Sequence, residues 1–167
     1  MRRPFLPVLT AIALSACGSD IADGSGDGEA GRDAGTYEVD AETGETRASI
    51  TTEDGTTTMV AGENVAADLP DGFTLYPGAE VISTINIGRG KGQGVMLSFA
   101  SDDPSEDLVA FYRKQAEEAG VKIEMVLETG RMTMIGGEGP GNTQMTFQTD
   151  SEGSRTTGQL TVSRGLN

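Results

Sequence analysis

The chain has 167 residues, with 24 glycines, 36% hydrophobic and 5% aromatic residues, one cysteine, no histidine and no tryptophan. That length holds one domain plus appendages, and the low apolar share leaves part of it outside any core. A net charge of −14 sets nucleic acid aside as a partner, because a polyanion of this density is repelled by another.

In chain order, Met1-Arg2-Arg3 is a short basic start, Pro4 to Leu14 is apolar except for Thr10, and Ser15 and Ala16 are small. This is the layout of a secretory signal. The run is well short of the ~20 apolar residues that span a bilayer as a helix. Leu14, Ser15, Ala16 and Cys17 then match a lipobox, and here the chain resembles bacterial lipoproteins. The resemblance implies cleavage between Ala16 and Cys17, lipid on the Cys17 sulfur and acylation of the new amino terminus, so that the bilayer is a partner through Cys17. Gly18 rather than aspartate after the cysteine implies the periplasmic face of the outer membrane. Two or more acyl chains hold a protein stably where one does not. Loss of residues 1–16 removes Arg2 and Arg3 and takes the net charge to −16. With Cys17 consumed, the exported part has no thiol and no disulfide.

Residues 17–35 read as the lipidated cysteine followed by a Gly/Asp-rich tether, too poor in apolar surface to offset its ordering entropy. Eighteen such residues have an r.m.s. reach of about 23 Å. Asp23, Ser25, Asp27 and Gly28 match the opening of a calcium loop, but Ala34 stands where the bidentate glutamate belongs. A solvated tether fits better than a calcium site.

Residues 36–67 form a polar β-meander, with strands expected near 36–41, 46–52 and 56–61 and turns at Thr43-Gly44 and Asp54-Gly55. Residues 68–167 read as an α+β domain in the order ββαββββ, an antiparallel sheet with one packed helix. Phe73, Leu75 and Tyr76 pin an irregular lead-in. Strands follow at 80–87 and 94–100, the second with Val95, Leu97 and Phe99 inward. A helix from Asp103-Pro104-Ser105-Glu106 to Ala119 is expected, with Asp103 as its cap and Gly120 as its stop. Leu108, Phe111, Tyr112, Gln115, Ala116 and Ala119 share its inner face. Four more strands are expected at 121–128, 131–135, 143–149 and 159–164. Their alternation puts Val121, Ile123, Met125, Leu127, Met132, Met134, Met145, Phe147, Leu160 and Val162 on one inward face. The other face is rich in threonine and glutamine. Residues 69–120, with LYPGAEV ahead of DLVAFYRKQAEEAG, loosely resemble small bacterial secreted proteins and lipoproteins with a YPGA turn and a Phe-Tyr helix. That group implies the fold alone.

Catalysis is not expected. The chain lacks histidine, and no serine stands in a G-x-S-x-G elbow or three residues before a lysine. No cofactor and no metal are expected. The stretch Ile87–Gly94 is the one basic, glycine-rich patch. It reads as a mobile hairpin tip over residues 88–94 rather than a phosphate loop, since it precedes a strand. Arg89 and Lys91 there are the candidate contacts for another envelope protein or an anionic glycan. The sequence therefore points to a membrane-anchored envelope lipoprotein bearing a small non-catalytic binding module. The alternative is metal or anion handling, through soft thioethers of Met125, Met132, Met134 and Met145 or through the Arg89/Lys91 loop. Methionine as a filler of irregular cores competes with the metal reading.

Overall fold

The computed structural model describes residues 34–53 and 55–166. The signal, the lipobox with Cys17 and the calcium-like motif fall outside them. Among the described residues, nine strands and one helix follow in the order β1 (Ala34–Val39), β2 (Thr46–Thr52), β3 (Gly55–Gly62), β4 (Glu80–Arg89), β5 (Gly92–Ser101), α1 (Ser105–Glu118), β6 (Lys122–Thr129), β7 (Met132–Gly139), β8 (Thr143–Glu152) and β9 (Arg155–Arg164). All nine strands make one antiparallel sheet, ordered β1-β2-β3-β4-β5-β9-β8-β7-β6. The helix packs on β6, β7 and β8, and the fold class is α+β. The first three strands continue the main sheet, because β3 pairs along β4 from Thr57↔Arg89 to Gly62↔Thr84.

Local chemistry sets the turns. The Asp40 carboxylate accepts the backbone N–H groups of Glu42 and Thr43 at 2.8 and 3.1 Å. Those bonds favour the charged form and hold its carboxyl below the usual value. The β4–β5 hairpin closes at Arg89↔Gly92 around Gly90, whose φ of 60° suits glycine.

Helix α1 buries Leu108, Tyr112 and Ala116, spaced four apart on one stripe. It ends as its sequence demands. Gly120 adopts φ 76°, its N–H donates to Glu117 O, and the Val121 N–H donates to Ala116 O, the paired bonds of a Schellman stop. Its start differs from the expected cap. Pro104 is the N-cap, with no side-chain bond to the helix. The Asp103 carboxylate instead accepts the Tyr76 hydroxyl at 2.9 Å.

Tyr112, Phe99 and Phe147 form the middle of the core, with the Tyr112 and Phe147 rings 4.3 Å apart. Phe111 is only half-buried and meets Tyr76 edge-on, so Tyr112 is the helix's central aromatic anchor. Gln115, polar on an apolar stripe, clamps the lead-in. Its oxygen accepts the Thr74 N–H at 3.1 Å and its amide nitrogen donates to Thr74 Oγ1 at 2.7 Å. Phe73 is buried beneath the same segment.

The inward face expected for β6 and β7 is corrected. Ile135 is the buried hydrophobic residue of β7, opposite Phe147, which turns Met132 and Met134 to the open side. In β6 the register slips between Ile123 and Met125, a bulge that reverses the alternation after it. Met125 and Leu127 are each 45% exposed. Of the four methionines assigned inward, Met145 alone is in the core.

Candidate binding surface

Among the described residues, the core lies on one side of the sheet and the other side is open. Over β5–β9 the open side is built from cross-strand rows. Ser98, Gln159, Gln148, Met134 and Leu127 stand in one register row. Ala100, Thr157, Asp150 and Met132 stand in the next. Between them lies a groove of about 220 Å³ lined by Ile82, Ser98, Met132, Gln148, Asp150, Thr157 and Gln159, together with Thr149 and Gly158. Ile82 reaches it because the β4 register slips between Val81 and Ser83.

The floor of this groove is amide and hydroxyl. Gln148 Nε2 donates to Gln159 Oε1 at 2.9 Å. A side-chain amide carries one acceptor oxygen and two N–H donors. That single bond therefore leaves the Gln148 oxygen and the Gln159 NH2 with capacity for a ligand. Apolar groups flank the floor, Ile82 on one side and Met132 with Met134 on the other. Charge is confined to one end. There Asp150 accepts from Arg131 at 2.9 Å, and Arg155 pairs with Glu80.

The sites read from the sequence fall elsewhere. Ala16 and Cys17 lie outside the described residues. Arg89 and Lys91 flank Gly90 in a tight hairpin, not a loop over 88–94, so strand pairing occupies the backbone that a phosphate loop would need. Arg89 is half-buried and already engaged, while Lys91 is exposed. The glycines beyond the turn serve close approach. A Cβ on Gly92 would fall on the Gly165 carbonyl, and one on Gly94 would strike the Leu166 side chain.

The methionines do not form one site. Met125 and Met132 stand about four residues apart along neighbouring strands, on the order of 13 Å, too far for one ion. Among the described residues, no group of three or more Asp, Glu, His or Cys side chains is placed to hold a metal.

Two tyrosines depart from ordinary acidity for structural reasons. Burial pushes the Tyr112 hydroxyl well above the usual value of 10.0, although it accepts the Tyr76 N–H at 3.1 Å. Burial, then the bond to Asp103, raises Tyr76. Neither borders the groove.

Residues 81–162 match a family model described as START domain-like. The match runs from the start of β4 to near the end of β9, so it takes in the helix and every residue lining the groove, and it omits β1–β3. It spans just under half of the chain. No curated protein and no solved structure matches the chain. The groove itself was not foreseen. Its signal in the sequence was the pair of glutamines at 148 and 159 on the polar sheet face, but its apolar flanks were hidden by the β6 and β7 reversals.

Proposed function

We propose that this chain is a lipid-anchored envelope lipoprotein whose ββαββββ unit, β4 to β9, is a non-catalytic binding module that uses the open sheet face. The observation that carries the reading is the one-sided core. The helix and lead-in close one face, while the opposite face presents an uncharged amide floor between apolar flanks. Such a floor suits a neutral amphiphile with hydroxyl groups, which bonds the free ends of Gln148 and Gln159 and lays an apolar part on Met132 and Met134. At about 220 Å³ the groove is smaller than the ~300–1,000 Å³ of most small-molecule sites. It takes one group of a molecule that continues across the sheet. The START domain-like match supports binding over catalysis, since domains of that description are generally binding domains. The lipobox residues 14–17 support the anchor.

Octyl glucoside, a neutral amphiphile, is a suitable probe below its micelle concentration. Calorimetry on the exported Cys17→Ser chain should detect binding, weakened about tenfold or more by Gln148→Ala/Gln159→Ala. Unchanged affinity in the double variant would remove the groove from the reading. Mass spectrometry of the mature native chain tests the anchor: an acylated Cys17 at the amino terminus is expected, and an unmodified one would refute it.

A further inference from the structure

Strands β1 to β4 carry a second apolar surface, on the side of the sheet opposite the core. Register places Tyr37, Ala48, Met59 and Ile87 in one cross-strand row. Val39, Ala61 and Ile85 lie in the adjoining row with Thr46. Tyr37 is 70% exposed, Val39 54% and Ile50 51%. Contiguous exposed apolar area of this kind marks a docking surface. Glu38 and Arg47, the charged residues of β1 and β2, pair with each other in register and belong to the opposite side of the sheet.

We infer that this face rests on a zwitterionic phospholipid surface, an inference that stands on the anchored reading proposed above. Three observations favour lipid over a second copy of the chain. Sixteen residues, 18–33, separate Cys17 from the first residue of β1, a span of at most ~55 Å even fully extended. An anchor at Cys17 therefore holds β1 close to the bilayer at high effective concentration. The face is uncharged over its two central rows, on a chain whose net charge of −14 makes two copies repel. At its rim, Arg89 shares a row with Thr57 and Ile50, and Lys91 is exposed beside it. Lys91 suits lipid phosphate, whereas Arg89 is half-buried and already engaged. Tyr37 adds an amphipathic ring of the kind enriched at membrane interfaces.

The contact leaves the binding groove accessible. Five strand-to-strand steps separate β2 from β8, and adjacent strands rotate by about 20–25°. The open face therefore turns through roughly 100–125° between the two regions.

The chain has no tryptophan, so single-tryptophan variants report depth directly. Tyr37→Trp and Glu38→Trp substitute exposed positions on opposite sides of β1. In the full mature protein on brominated phosphatidylcholine vesicles, Tyr37→Trp emission should be quenched at least twofold more than Glu38→Trp emission. The acylation state of Cys17 is read by mass spectrometry on the same samples. Acylated protein with equal or absent quenching overturns the inference and leaves the anchor standing. Quenching of Tyr37→Trp in protein without acyl chains supports the inference and overturns the anchor. No chains and no quenching overturns both. A concentration-dependent blue shift without lipid quenching identifies a second copy on this face and also overturns the inference.

Discussion

Tyr112 shows how much one side chain settles. Its ring is fully buried against Phe147, and its hydroxyl accepts the Tyr76 N–H of the lead-in. Tyr112→Phe keeps the ring and leaves that N–H unpaired, a loss of about 1–3 kcal/mol by chemical denaturation. The folded-state ionisation of Tyr112 is raised. Its contribution to stability is therefore complete below the unfolded value near 10 and is lost as pH rises through the higher folded value. Above pH 10 the stability of wild type should fall more steeply than that of Tyr112→Phe. Parallel alkaline slopes would mean that Tyr112 is not the buried group. Gly158 is a second decisive position, since a Cβ there would strike the Phe99 ring. Gly158→Ala should cost about 1–3 kcal/mol through overpacking. The helix stripe made Tyr112 legible in the sequence. The need for glycine at 158 was not, because the ring that excludes a side chain comes from a strand 59 positions earlier.

At the scale of elements, β5, β8, β9 and the helix were legible because their apolar residues keep one period from end to end. Val95, Leu97 and Phe99 are buried, as are Phe147, Leu160 and Val162. β7 was not, because Met-Thr-Met-Ile offers two phases and the larger number of apolar residues sits on the wrong one. In β6 a one-residue slip moved Met125 and Leu127 to the other face, as period-two geometry requires. The glycine pair at 136–137 is the trace of that slip. A Cβ on Gly137 would fall on the Lys122 carbonyl beside the bulge. Gly137→Ala should therefore destabilise the β6–β7 hairpin specifically, with hydrogen exchange of the 122–129 amides accelerating ahead of the 155–164 amides. Uniform acceleration would show that the bulge is not what Gly137 accommodates.

At the scale of the whole molecule, the α+β class followed from the strand and helix periods, while the union of β1–β3 with the main sheet did not. The β3–β4 pairing is formed across the 63–79 segment, and local patterns carry no information about such pairing. The apolar side of β1–β3 is also the reverse of the core side of β5–β9, so the early strands read as a polar meander leaning on the main domain rather than as part of its sheet. Limited proteolysis should reflect the union. The resistant fragment should begin at or before Ala34, with the 63–79 segment uncut, because Phe73 is buried and Asn86 donates to Ala66 O and accepts from Asp68 N. A core starting near residue 69 would contradict it.

The sheet has a closed face and an open one, proposed above as the ligand-binding side, and the methionines report both. Peroxide oxidation of the exported chain, followed residue by residue by mass spectrometry with and without octyl glucoside, tests that division most directly. Met96, Met125, Met132 and Met134 should oxidise while Met145 stays intact, and the amphiphile should protect Met132 and Met134. Oxidation of Met145 as fast as Met125, or an amphiphile that leaves Met132 and Met134 equally reactive, would contradict the account.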